Sequence, residues 1–156
     1  MRIRLFQTQA PPATVLLRIA VGGIFLSEGI QKFIYAEALG AGRFAKIGIP
    51  FPLVMGPFVG AVELLCGALI VLGLFTRAAT VPLIINMLVA LLSTKMPILL
   101  GHGFWGFAAS SATPGFWSMA HEARTDFAML LASLFMLIEG GGSWSLDALL
   151  VRRRRE

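Results

Sequence analysis

The sequence predicts an all-α polytopic membrane protein: a four-helix transmembrane bundle with a short C-terminal interfacial helix, built as a single domain over residues 1–156. Three observations predict it. Of the residues, 57% are hydrophobic and 13% charged, with a mean hydropathy of +0.82. An ordinary soluble domain carries about 25% charged residues, and a soluble chain of this size needs a polar shell because its surface is large relative to its core. Four apolar runs each approach the ~20 residues that cross a ~30 Å hydrocarbon layer. Glycine and proline punctuate the chain between those runs.

The first run covers about 15–34. It has a basic start, but Arg18 interrupts its apolar core and no A-x-A cleavage pattern follows, so it reads as a retained helix. Gly40, Gly42, Gly48, Pro50 and Pro52 break the chain before the second run, about 53–75. Gly73 to Arg77 makes a tight turn into the third, about 78–100. Pro57 and Pro82 fall early in these helices, near first-turn positions where a missing N–H matters less. A longer loop from His102 to Ser118 leads to the fourth run, about 119–138, which Gly140 to Gly142 stop. Ser143 is placed to cap a short helix over about 143–150. Its Trp144, Leu146, Leu149 and Leu150 suit the membrane interface, with the terminal arginines on anionic headgroups. An anchor and a docking surface both fit that tail.

A net charge of +5 and a pI near 10.4 first suggest nucleic acid. The placement of the charges points elsewhere. Four crossings put both termini on one side, which collects Arg2, Arg4, Arg77 and Arg152 to Arg155; the opposite loops carry Arg43 and Lys46. Cytoplasmic flanks accumulate Lys and Arg, so the termini are assigned to the cytoplasm and no nucleic-acid partner is expected. The lone Cys66 excludes an internal disulfide or a C-x-x-C pair, so any redox role needs a partner protein or a bound cofactor.

Polar groups inside the apolar runs carry the functional signal, because a charge in hydrocarbon is costly and is usually inward and paired. The set is Arg18, Glu28, Lys32, Glu63, Asn86, Lys95, Arg124 and Asp126. Glu63 is mid-helix, and Gly56, Gly60 and Gly67 share its stripe. Glycines on one face let another helix approach closely, so this face is expected to turn inward with Glu63 either paired or protonated. A structural ion pair and a functional acid are equally open readings. Glu28 and Lys32 are one turn apart and are expected to pair. Asp126 is expected inward, meeting Lys95, Lys32 or a ligand cation; Arg124 points about 200° away from it. Arg18 lies near the inner end of its helix, where snorkelling accounts for it. Asn86 is read as a helix–helix hydrogen-bonding residue. His102 and His121 lie outside the helical interiors, and His121, Glu122 and Asp126 match no strong metal motif, so no metal is assigned. Nucleophile–base pairs, phosphate loops and Rossmann signatures are absent from the sequence.

Five segments in order resemble the DoxX family of small bacterial membrane proteins: LLRIAVGGIFLSEGIQKF (16–33), GIP (48–50), VGAVELLCGALIVLGLFTRAA (59–79), GHGFWGF (101–107) and GGSWSLDALL (141–150). The family pattern has an acidic residue near the start of helix four. Here Asp126 is the match, with Arg124 an unusual neighbour and the preceding loop extended through 110–118. The resemblance implies a four-helix bundle in the bacterial cytoplasmic (inner) membrane. It also implies association with quinone-linked and thiol redox complexes, at most as a membrane subunit of an oxidoreductase. On that reading Glu63 and Glu28 handle protons or hydrogen-bond a quinone, and Arg18 or Lys32 tune them. No covalently held cofactor is expected. Two alternatives stand beside it: a structural subunit in a larger membrane complex, and a small-molecule or lipid-binding protein with an acidic pocket. A protein partner or homo-oligomer is expected in addition to the bilayer.

Overall fold

A computed structural model describes residue 8 and residues 10–153. Arg2, Arg4, Arg154 and Arg155, part of the charge bias above, lie outside the described residues. Among the described residues seven helices follow in order: α1 (Thr14–Ile34), α2 (Ala36–Leu39), α3 (Ala41–Ile47), α4 (Pro52–Leu72), α5 (Thr76–Leu100), α6 (Phe116–Glu139) and α7 (Leu146–Arg153). Apart from one isolated bridge between Phe104 and Phe107, there is no β-structure among the described residues.

The chain is an all-α membrane protein. α1, α4 and α5 are long and apolar enough to cross a bilayer. α6 has 24 residues, about 36 Å of helix. Glu122, Arg124 and Asp126 in its first half dilute its apolar character. α1 packs on α4, α4 on α5 and α5 on α6, whereas α6 and α1 contact only sparsely and leave an open seam. The core between the helices holds Val21, Phe25, Ile70, Leu83, Met87, Met129 and Met136. Leu16, Ile19, Leu53, Leu65, Ile85, Leu131 and Ile138 face outward and exposed. A soluble monomer rarely exposes so much apolar surface; lipid is the solvent that suits it.

The structure departs from the sequence reading in several places. The segment between α1 and α4, expected as a glycine- and proline-broken loop, forms the short helices α2 and α3. Gly48 ends α3 at φ +87°, with its N–H and that of Ile49 returning to Ala45 and Phe44 carbonyls. α4 ends at Leu72 rather than near 75, because Gly73 turns left-handed at φ +66°. Pro57 and Pro82 are inside α4 and α5, past the first turn. Each therefore removes one interior helical hydrogen bond. α5 contains a single π-helical turn, Leu91–Lys95, in which the Met96 N–H reaches the Leu91 carbonyl. Pro97 follows directly, and a proline ring clashes with the carbonyl four residues back; the widened turn accommodates it.

The C-terminal helix is also different. It starts at Leu146, three residues later than predicted, and Ser145 rather than Ser143 caps it by accepting the Ala148 N–H at 3.2 Å. It is locked into the bundle. Asp147, 2% exposed, accepts the N–H groups of Phe75 and Thr76 at 2.8 and 2.9 Å, donors at the start of α5. Arg18 completes this lock. The expectation of a snorkelling arginine is corrected: Arg18 is 4% exposed. Its guanidinium donates to the carbonyls of Ile70, Val71, Gly141 and Trp144 at 2.6–3.1 Å. Two of those, Ile70 and Val71, are among the last carbonyls of α4, and the Ile70 carbonyl also accepts the N–H of Gly73. Thr8 accepts from the Gly142 N–H and donates to the Glu139 carbonyl, so the start of the described chain is fastened to the α6–α7 turn at this same end.

Candidate functional site: an intramembrane charge cluster

The site rests on a close antiparallel approach of α1 and α4. Gly22 and Gly29 of α1 oppose Gly67 and Gly60 of α4. A Cβ on Gly29 would sit 2.7 Å from the Gly60 carbonyl oxygen, and one on Gly22 2.8 Å from that of Gly67. Only glycine permits backbones this near. Gly56, the third member of the predicted stripe, packs against Ala41 at the start of α3 instead of against α1. The stripe is visible in the sequence of α4; its partners Gly22 and Gly29 escape that reading, although their spacing of seven residues marks them in the same way.

This approach delivers Lys32 of α1 to Glu63 of α4. The Lys32 ammonium lies 2.6 Å from a Glu63 carboxylate oxygen. The other Glu63 oxygen accepts a 2.6 Å hydrogen bond from the Asn86 amide on α5. One carboxylate thus ties three helices together, and Glu63 is 3% exposed. Glu28, one turn before Lys32, is 3.6 Å from the same ammonium and is half-exposed. The four residues form a line from the protein's edge to its interior: Glu28, Lys32, Glu63, Asn86. An ion pair in this setting is strong because water does not screen it, and leaving either member alone is costly.

A second pair lies beyond it. Lys95, at the end of the π-helical turn, is 3.4 Å from Asp126 of α6. Arg124 stands apart from both, exposed on α6, with its guanidinium donating to the His121 carbonyl. Arg18 does not join the cluster; it serves the lock at the other end. Asp147 and Ser145 in that lock escape sequence reasoning. Their signal, a Ser-x-Asp just after a glycine run, is too short to separate from an ordinary polar turn. Cys66 is free, and among the described residues no three His, Cys, Asp or Glu side chains gather as a metal site.

The fold and the cluster define a class: small helical membrane proteins with charged side chains paired inside the bundle. The comparisons narrow it. The DoxX family profile matches residues 13–96, from the start of α1 to the end of the π-helical turn, and the chain belongs to the DoxX family. It is 49% identical over 150 residues to the uncharacterized membrane protein Rv3486 of Mycobacterium tuberculosis, covering 96% of this chain and 88% of that one. It is 29% identical to the inner membrane protein YphA of Escherichia coli, covering 91% and 93% of the two chains. It is 27% identical to a Bacillus subtilis protein named "Putative oxidoreductase CatD", covering 91% and 90%. No solved structure matches the chain.

Proposed function

We propose that the protein is a membrane subunit of a quinone-linked redox complex in the bacterial inner membrane, with both termini cytoplasmic. In this reading Glu63 is the central proton-handling or quinone-hydrogen-bonding group. The observation that carries it is the Glu28–Lys32–Glu63–Asn86 line, which joins a half-exposed carboxylate to a buried one through a single ammonium. Buried ionisable groups inside a membrane mark proton relays and ligand sites by default. The name of the B. subtilis relative supports the redox assignment. Lys32 holds Glu63 and shares its charge with Glu28, and Asn86 fixes the carboxylate's second oxygen. The lone Cys66 provides no dithiol, so electrons enter from a partner protein.

A structural subunit is the second reading, favoured by the same cluster's internal satisfaction: both Glu63 oxygens already have partners within the chain. Gentle purification from native membranes into nanodiscs, with mass spectrometry of what accompanies the protein, separates the two. Quinone or an oxidoreductase in stoichiometric amount is the expected result. A bare protein, or one found only within a complex of unrelated chemistry, removes the redox assignment.

A further inference from the structure

The seam between α1 and α6 is an open apolar groove of about 400 Å³. Leu17 and Ile24 line it on α1, and Ala128 and Ala132 on α6; Arg124 and Thr125 stand at its end nearer the α6 N-terminus. The α6 wall from Arg124 to Ala132 rises about 12 Å, within the ~15 Å depth of one hydrocarbon leaflet. The small alanines leave room beside that wall for an alkyl chain.

Arg124 gives the groove its chemistry. Three other cations within the long helices are answered: Lys32 by Glu63, Lys95 by Asp126, Arg18 by four carbonyls. Arg124 is exposed, donates to a carbonyl of its own helix, and has no carboxylate partner among the described residues. A lipid-facing cation is costly unless an anion reaches it, and a guanidinium matches the two-oxygen edge of a phosphate. We propose that the α1–α6 groove binds one anionic phospholipid, with an acyl chain between the helices and its phosphate on Arg124, Thr125 offering a second donor. This site is separate from the Glu63 cluster and stands whether or not the redox reading holds.

The test uses the full-length protein in nanodiscs of phosphatidylcholine containing a minor share of phosphatidylglycerol, released into mild detergent and weighed by native mass spectrometry. The expected result is one retained phosphatidylglycerol per chain. Arg124→Gln is expected to lower that retention about tenfold or more, the scale of a charge-assisted hydrogen bond. Arg43→Gln, which removes an exposed cation far from the groove, is expected to leave it unchanged. Ala128→Phe, which fills the groove and keeps the charge, is expected to abolish retention, and it serves if Arg124→Gln does not fold. Equal retention of both lipids overturns the proposal. So does equal loss in Arg43→Gln, unchanged retention in Ala128→Phe, or a lipid-free dimer that Ala128→Phe splits, which would assign the groove to a second copy of the chain.

Discussion

Replacing Lys32 with methionine leaves the Glu63 carboxylate buried with only Asn86 as partner. Removing one member of a buried pair costs on the order of 3–5 kcal/mol. Thermal unfolding in detergent is expected to show that loss for Lys32→Met, and the double variant Lys32→Met/Glu63→Leu is expected to recover much of it, because the charge left without a partner is then the half-exposed Glu28 and not a buried one. If the double variant is as damaged as the sum of the single ones, the two residues are not coupled. Asp147→Ala tests the lock at the other end. It removes the carboxylate that accepts from the N–H groups of Phe75 and Thr76, a capping loss of about 1–2 kcal/mol. Faster proteolysis within residues 140–153 is the expected sign; an unchanged cleavage pattern means α7 is held by something else. At this scale the sequence is partly readable. The spacing of Glu28 and Lys32 announces their contact, and Lys95 is among the partners expected for Asp126. The bond between Lys32 and Glu63 is not legible, since it depends on the register of α1 against α4. Arg18 misleads because depth near a helix end suits snorkelling, whereas the carbonyls that claim it belong to segments 52 or more residues away.

At the scale of elements, the α1–α4 contact is set by backbone proximity, and neighbouring glycines provide a matched test. A methyl at Gly29 meets the Gly60 carbonyl oxygen at 2.7 Å and the Leu64 nitrogen at 2.8 Å, while one at Gly23 meets nothing within 4 Å. Gly29→Ala is expected to destabilise by about 1–3 kcal/mol through overpacking. Gly23→Ala is expected to be neutral or slightly stabilising, since alanine favours the helix. Equal effects at the two sites in a thermal melt would show that helix propensity and not packing decides. The long helices are legible because an unbroken apolar run of about twenty residues is too long for a buried strand and matches the span of a membrane helix. α2 and α3 are not, since four and seven residues give too little periodicity to register. The π-helical turn has only Pro97 as its local signal.

The basic residues predict an orientation for the whole molecule. Thr8 and Gly142 are hydrogen-bonded at the end that also holds Arg77's helix start, and Lys46 lies in the segment between α1 and α4 at the other. With Cys66 replaced by alanine, a cysteine at Lys46 is expected to react with a membrane-impermeant maleimide in intact cells. A cysteine at Thr8 is expected to react only after lysis. The opposite pattern reverses the topology; reaction of both in intact cells shows that they do not lie on opposite sides. The predicted topology rests on the basic residues alone, a bias that depends on composition and not on contacts. The open α1–α6 seam is not legible in the sequence, since it reflects how four helices share three close interfaces.

Whether the buried carboxylate serves chemistry or only packing is decided most directly at Glu63 itself. Wild type and Glu63→Gln are purified in parallel from native membranes, and bound quinone, co-purifying protein and thermal midpoint are measured on each. A folded Glu63→Gln protein that has lost quinone or its redox partner is the predicted result. A Glu63→Gln protein that is less stable but keeps both contradicts the account and makes the cluster a fastening between helices.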